Sequence, residues 1–183
     1  MRVGLVLNGG KSSRMGKDKS LMTVGSATML EHSVALLNSL NLNKVVISGL
    51  KFDIPDIFPD KGPVGGIYSA IQHLSLKVGD IILIIPNDMP LLRSELLLAL
   101  LEQSTKHQCT CIYQQYPMPL SLFISEAVLA RVTQLKSAGG MSIRYMIEAD
   151  RVEVLSVVSH VEFSNVNTPQ ELEDAVQKYN GIC

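Results

Sequence analysis

Residues 2–20 read RVGLVLNGGKSSRMGKDKS, a short apolar run followed at once by a glycine-rich, basic stretch. The run at 2–7 is continuously apolar after its first residue, which is typical of a strand buried on both faces of a parallel sheet. The stretch at 8–20 contains three glycines and the cations Lys11, Arg14, Lys17 and Lys19. Because backbone N–H groups in such a turn can approach an anion closely, the stretch predicts an anion-binding loop after a buried first strand.

Similar strands alternate with helical segments along the rest of the chain. KVVISG at 44–49 and DIILIIP at 80–86 are further apolar runs, and ATMLEHSVALLNSL at 27–40 and GGIYSAIQHLSL at 65–76 have helical spacing. Downstream, SELLLALLEQS and SEAVLARVTQL predict helices, and CTCIY and PLSLFI predict short strands. This alternation predicts a single-domain, three-layer α/β/α fold over residues 1–183, with a mostly parallel, Rossmann-like sheet.

The composition excludes several classes of protein. The chain has 183 residues, 46% of them hydrophobic, which is enough for one sizeable core. Its formal net charge of -1 argues against a nucleic-acid-binding surface, and no apolar run reaches the ~20 residues of a membrane span. We therefore expect a cytoplasmic protein that contacts neither nucleic acid nor membrane.

The three cysteines, Cys109, Cys111 and Cys183, do not form a recognisable metal motif. A lone C-x-C lacks the second pair of ligands that zinc sites with this kind of spacing contain. We expect reduced cysteines that are buried or lie in the tail.

Three loops are candidates for the functional site, because ligands of doubly wound sheets bind outside the carboxyl ends of the strands. They are Asn8–Lys19, Asp60–Gly66 and Pro86–Pro90. The first loop is not a P-loop, because five residues separate Gly10 from Gly16 and no hydroxyl residue follows Lys17. It also lacks the G-x-G-x-x-G spacing of the dinucleotide fingerprint.

Four segments, in order, resemble one enzyme superfamily. LNGGKSSRMGKDKS is similar to the loop L-A-(A/G)-G-x-(G/S)-x-R-M of the sugar-phosphate uridylyl- and cytidylyltransferases, and its R-M-G-x-D-K variant resembles the MobA-type molybdenum cofactor guanylyltransferases. PDKGPVGGIYSAI, PNDMP and FSNVNTPQEL are similar to further motifs of that family. Two positions depart from it: Asn8 replaces a usual Ala, and Ser48–Gly49 stands where an Asn is common.

The resemblance implies roles for individual residues. It implies catalytic roles for Arg14, Lys19 and Asp88, with Asp88 as the Mg²⁺ ligand. It implies that the nucleotide is bound by Leu7, Asn8, Gly9, Lys19, Ser48, Asp60, Asp88 and Asn167. Lys11 and Lys17 either steer anions or are solvated.

The resemblance also implies an acceptor site, and the residues of NTPQEL by themselves predict a capped helix. Pro117–Phe123 would face the second substrate, and Gly139, Gly140, Ser142 and Arg144 would bind the phosphate of a pterin. In NTPQEL, Thr168 as N-cap and Glu171 three residues later predict a capping box, which accounts for these residues without a ligand.

The implied activity is transfer of GMP from GTP to molybdopterin, with release of pyrophosphate, formation of molybdopterin guanine dinucleotide and Mg²⁺ as cofactor. The implied partners are GTP, molybdopterin, other molybdenum cofactor biosynthesis proteins and molybdoenzyme chaperones. Two alternatives remain open: a cytidylyl- or other nucleotidyltransferase acting on a related phosphate acceptor, and a non-catalytic protein that binds and delivers the nucleotide or cofactor. The presence of both Asp88 and Lys19 argues against the second, because a pure binding protein needs no catalytic metal ligand.

Overall fold

A computed structural model describes residues 1–8, 23–24, 26–49, 51–58, 61–134, 142–148 and 150–180. The strands are β1 (Arg2–Leu7), β2 (Thr23–Val24), β3 (Ala27–Thr28), β4 (Lys44–Ser48), β5 (Ile81–Pro86), β6 (Thr110–Tyr113), β7 (Tyr116–Phe123) and β8 (Val152–Leu155). The α-helices are α1 (Met29–Asn38), α2 (Gly62–His73), α3 (Ser94–His107), α4 (Glu126–Gln134), α5 (Ile143–Ile147) and α6 (Pro169–Asn180). A 3₁₀ turn covers Val161–Phe163. Among the described residues, no helix combines the length and the apolar character that crossing a membrane requires.

Six of the strands form one sheet in the order β4-β1-β5-β7-β6-β8, and β2 and β3 form a separate antiparallel pair. β1 is parallel to β4 and β5, and β6 is parallel to β8. β7 runs antiparallel to both of its neighbours, so it is the one reversed strand of this sheet. The predicted mostly parallel sheet is confirmed.

The central strands are buried on both faces, as their continuous apolar runs predicted. Every residue of β5 is buried, and so is every residue of β1 after Arg2. Helices α2, α4 and α5 cover one face through Ile67, Ile71, Val128 and Met146. Helices α1 and α3 cover the other face through Leu37, Leu97 and Leu100. This arrangement confirms the three-layer α/β/α architecture.

Two helices begin at positions other than those predicted. Helix α1 begins at Met29 rather than residue 27, because Ala27 and Thr28 pair in the small sheet and Thr28 then caps the helix. Thr28 Oγ1 accepts from Glu31 N at 3.2 Å, and Glu31 Oε2 accepts from Thr28 N at 2.7 Å. Helix α2 begins at Gly62 rather than residue 65, since Pro63 fits the first turn of a helix, where no N–H partner is needed.

Two described cysteines behave as the sequence predicted. Cys109 and Cys111 are fully buried and free, and burial raises the pKa of both thiols, that of Cys111 to about 12. They are therefore thiols rather than thiolates at neutral pH. Cys183 lies outside the described residues.

The first turn of α2 is held against the segment before it. Asp56 Oδ1 accepts from Phe58 N at 3.0 Å, and Ser69 Oγ of α2 accepts from Ile57 N at 2.8 Å. At Gly65 a Cβ atom would overlap the carbonyl oxygen of Phe58 and lie 3.1 Å from Asp56 Oδ1. The approach of this segment to the helix therefore requires glycine at position 65.

We predict that Gly65→Ala destabilises the protein. Alanine in a helix normally raises the free energy of unfolding by about 1 kcal/mol relative to glycine. Here, overlap of its Cβ with a backbone oxygen lowers that free energy by about 1–3 kcal/mol, and it also displaces the 56–58 segment. We expect a melting temperature about 2–8 °C lower, measured by thermal unfolding. Gln72→Ala, at an exposed position of the same helix, should leave the melting temperature nearly unchanged. A Gly65→Ala variant as stable as the parent would contradict this packing argument.

Candidate active site

The carboxyl ends of three neighbouring parallel strands meet at one side of the sheet. In the register, Leu7 of β1 is paired with Ser48 of β4 and with Pro86 of β5. We call this side of the sheet the carboxyl edge. The first and third candidate loops follow β1 and β5 directly, so they begin side by side, as the sequence predicted. The second was predicted as a loop over Asp60–Gly66, but from Gly62 onward it forms the first turns of α2, because Pro63 suits the start of a helix.

Hydrogen bonds join the residues just beyond these strands. Asn8 N donates to Ser48 O at 3.2 Å, and Asn87 N donates to Leu7 O at 3.2 Å. The carboxamides also pair, since Asn87 Nδ2 donates to Asn8 Oδ1 at 2.9 Å. The three strand ends are thereby fixed to one another where the first and third loops begin.

Asn87 is a site residue that the sequence analysis missed. It is buried; its backbone N–H donates to Leu7 of β1, and its side chain donates to Asn8, the residue after β1. Ser33 Oγ of α1 lies 3.5 Å from its Oδ1, at the outer limit of a hydrogen bond. The sequence did contain a signal for it: Asn87 stands directly before Asp88 at the end of an apolar strand, where a buried polar side chain requires a hydrogen-bond partner.

Asp88 lies in the turn after β5 and is half-buried. Its carbonyl oxygen accepts from Val166 N at 2.7 Å, a contact between residues 78 positions apart. This bond brings the segment before α6 to the carboxyl edge, and with it Asn167. Asp88 and Asn167, which the resemblance assigned to one site, therefore lie on neighbouring backbone segments.

The start of α6 confirms the predicted N-cap. Thr168 Oγ1 accepts from Glu171 N at 3.2 Å, and the helix begins at Pro169. The carboxylate of Glu171 reaches back to Asn167 N at 2.6 Å, one residue further than in the standard capping box. The backbone of Asn167 is thus held by the same helix that follows it.

Ser48 is the last residue of β4, and Gly49 follows it. Ser48 is buried, and a Cβ at Gly66 of α2 would lie 2.9 Å from its Oγ. Gly49 has φ +151°, and a Cβ there would lie 3.0 Å from Asn8 O and 2.8 Å from Phe52 Cδ2. The close approach of this turn to Asn8 gives a physical reason for glycine at position 49.

Several predicted site residues lie outside the described residues. These are Gly9, Lys11, Arg14, Lys17, Lys19, Asp60, Gly139 and Gly140. Their assignments stay predictions. The described residues before two of these segments end at Asn8 and at Phe58.

A cavity of about 380 Å³ opens between the first turn of α2, the strands β6 and β7, and helix α5. Its lining is mainly apolar and includes Pro63, Val64, Ile112, Tyr116, Ser142 and Arg144. Ile112 lies one residue before the carboxyl end of β6. Because β6 runs parallel to β1, this end of β6 lies on the same side of the sheet as the carboxyl edge, and so does the cavity. Pro117 also lines it, beside Ser142 and Arg144 of the other predicted acceptor segment. The rest of Pro117–Phe123 does not face it as predicted, because Leu120, Ser121 and Leu122 are fully buried in β7.

Comparison with known proteins identifies the family. Residues 4–154 match the sequence model of the MobA-like NTP transferase domain. The chain is 35% identical over 176 residues to a molybdenum cofactor guanylyltransferase of Xanthomonas euvesicatoria pv. vesicatoria, covering 92% of this chain and 90% of the relative. It is 28% identical over 180 residues to a probable molybdenum cofactor guanylyltransferase of Flavobacterium johnsoniae, covering 92% and 93%.

Solved structures show the same fold. The molybdopterin-guanine dinucleotide biosynthesis protein A of Archaeoglobus fulgidus has a TM-score of 0.73 at 21% identity, covering 99% of this chain and 100% of that one. The 2-C-methyl-D-erythritol 4-phosphate cytidylyltransferase of Thermus thermophilus has a TM-score of 0.69 at 12% identity, covering 98% and 100%.

The predicted fold class and the predicted family agree with these comparisons and with the strand ends described above. The chain belongs to the MobA-like NTP transferase domain family and is a nucleotidyltransferase.

Proposed function

We propose that this nucleotidyltransferase transfers GMP from GTP to molybdopterin, releasing pyrophosphate and forming molybdopterin guanine dinucleotide. The structural observation that supports this best is that the joined ends of β1, β4 and β5 and the apolar cavity lie toward one edge of the sheet. Two substrates can therefore meet there. The guanylyltransferase names of the two relatives supply the base and the acceptor.

The nucleotide binds where the first loop leaves β1. Leu7, Asn8 and Gly9 contact the guanine and ribose, with Ser48 beneath them in the end of β4. Asp60 accepts from the guanine edge or holds the ribose. The bond from Asn87 to Asn8 supports this proposal, because it orients the Asn8 carboxamide before the nucleotide arrives.

The charge of the triphosphate is offset by Arg14 and Lys19 of the first loop and by a divalent cation. Asp88 fits Mg²⁺, because a half-buried carboxylate at a strand end is the hard oxygen ligand that this ion prefers. Asn167, on the neighbouring segment, is a second oxygen ligand or a donor to the acceptor phosphate. When bound, Mg²⁺ supplies charge neutralisation on the phosphate oxygens.

The reaction needs no covalent enzyme intermediate. An ionised phosphate oxygen of the acceptor forms a bond to the α-phosphorus of GTP as the bond from that phosphorus to pyrophosphate breaks. Both reactants are polyanions, so the tasks of the protein are to hold them in line and to offset their charge. The joined strand ends provide the rigid base for this alignment.

The cavity suits the acceptor. Its apolar walls match a fused ring system, and Ser142 and Arg144 at its lining can donate to a terminal phosphate. That Gly139 and Gly140 bind the same phosphate is part of the proposal and rests on the resemblance. Arg144 is exposed, and its Nε lies 3.9 Å from Glu148 Oε1, a weak surface pair. Its guanidinium can therefore turn toward a phosphate at little cost.

The product is a large cofactor, which in this proposal passes to other molybdenum cofactor biosynthesis proteins and molybdoenzyme chaperones in the cytoplasm.

We predict selective use of GTP. With molybdopterin and Mg²⁺ present, pyrophosphate release from GTP should exceed that from CTP, ATP or UTP by more than about 100-fold in kcat/KM. The reason is that a site built to hydrogen-bond one base leaves polar groups unpaired with another. Equal turnover of CTP would contradict the guanylyl assignment and favour the cytidylyl alternative. Nucleotide binding without any pyrophosphate release would favour the delivery protein.

We predict that Asp88→Asn strongly slows catalysis while preserving the fold. The asparagine keeps the size and turn preference of the side chain but loses the charge that binds Mg²⁺, so turnover should fall by about 10²–10³-fold. Turnover at saturating GTP across a magnesium titration measures this, with the melting temperature recorded beside it.

Asp150→Asn is a matched control, because Asp150 lies just before β8, near the amino end of that strand. Its turnover should be nearly normal. Near-normal turnover of Asp88→Asn at ordinary magnesium would contradict the metal assignment.

A further inference from the structure

Two thiols and a carboxylate meet at the side of the sheet opposite the carboxyl edge. Cys109 precedes β6 and Cys111 is its second residue, so their side chains leave the chain on the same face. Their Sγ atoms are 3.9 Å apart. In the register of the sheet Cys111 is paired with Glu153 of β8, whose Oε2 lies 3.7 Å from Cys109 Sγ.

These distances match the edges of a tetrahedral zinc site. With Zn–S bonds of about 2.3 Å and Zn–O bonds of about 2.0 Å, tetrahedral angles place two sulfurs about 3.8 Å apart, and a sulfur and an oxygen about 3.5 Å apart. All three donor atoms lie within 4.8 Å of one another. Little movement would be needed for them to close around one ion.

We propose that Cys109, Cys111 and Glu153 form a binding site for a borderline-soft divalent cation, with Zn²⁺ as the preferred ion. Two sulfur ligands select zinc over Mg²⁺, which takes oxygen ligands. The two thiol protons are released to solvent as the ion binds, and water takes the fourth position.

His107, the last residue of α3, positions the carboxylate. Its Nδ1 lies 3.0 Å from Glu153 Oε2. Carboxylates that bind metals are commonly held by such a neighbour, which fixes their orientation. The site thus joins the end of α3, the start of β6 and the outermost strand β8, three segments that are separate in sequence.

An ion can enter this site from solvent. Both thiols are fully buried in the α3 side of the core, but the side chains of Glu153 and His107 are 31% and 29% exposed. The position at the amino ends of β6 and β8 separates this site from the proposed Mg²⁺ ligand at the end of β5. The proposed ion therefore has a structural role, stabilising this end of the sheet, and takes no part in nucleotidyl transfer.

Titration of the full-length, metal-free chain with Zn²⁺ tests the proposal without any activity assay. Competition against a chromophoric chelator should give one Zn²⁺ per chain, unaffected by millimolar Mg²⁺, and the melting temperature should rise. Co²⁺ in its place should give the ultraviolet thiolate-to-cobalt absorption of two sulfur ligands with tetrahedral visible bands. Absence of stoichiometric binding by the reduced protein would overturn the proposal.

Variants identify the ligands. Cys109→Ser, Cys111→Ser and Glu153→Gln should each lower zinc affinity by more than about 100-fold, and His107→Gln by about 10–100-fold. Cys183→Ser and His73→Gln are the matched controls and should bind as the parent does.

Because serine at a buried cysteine position can unfold the chain, Glu153→Gln at the more exposed position decides the matter, with circular dichroism to confirm its fold. Parent-like affinity in folded Glu153→Gln, or loss of binding in Cys183→Ser, would contradict the assigned ligands.

Discussion

The fold depends on the parallel pairing of β1 with both β4 and β5. Because Leu7 is in register with Ser48 and with Pro86, the first and third candidate loops and the turn after β4 start at the same level. The backbone bonds from Asn8 and Asn87, and the carboxamide bond between these residues, extend this pairing one residue beyond the strands. A nucleotide-binding site built on these loops therefore takes its geometry from the centre of the sheet, whose strands are buried on both faces.

The sequence predicts the elements whose signal is local. Continuous apolar runs identify β1 and β5, and helical spacing identifies α1–α4. The two patterns differ because a strand buried on both faces is apolar at every position, whereas a helix buried along one stripe is apolar at every third or fourth position. Strand direction carries no such signal: the apolar run in β7 reads the same whether the strand is parallel or antiparallel. The strand β8 was missed because its four residues are at most half-buried and it lies at the outside of the sheet.

The site required more than local patterns. Asp88 follows an apolar strand, so sequence position alone makes it a candidate, whereas Asn167 is brought to the same place by the long-range bond from Val166 N to Asp88 O. Only resemblance to a family could assign such a distant residue. Likewise, the C-x-C motif lacked further ligands in sequence, since Glu153 and His107 come from β8 and α3. The roles of Lys19 and Asp60, and the single domain over residues 1–183, stay predictions.

We infer that nucleotide and metal bind together at the carboxyl edge. Paramagnetic relaxation by Mn²⁺ bound with GTP tests it most directly, because Mn²⁺ takes the oxygen ligands of Mg²⁺ and broadens the signals of nearby amides. We expect the amides of Asp88 and Val166 to broaden most, while those of Thr110 and Val152 at the opposite side of the sheet stay sharp. Broadening centred on Thr110 and Val152, with sharp signals at Asp88 and Val166, would contradict it.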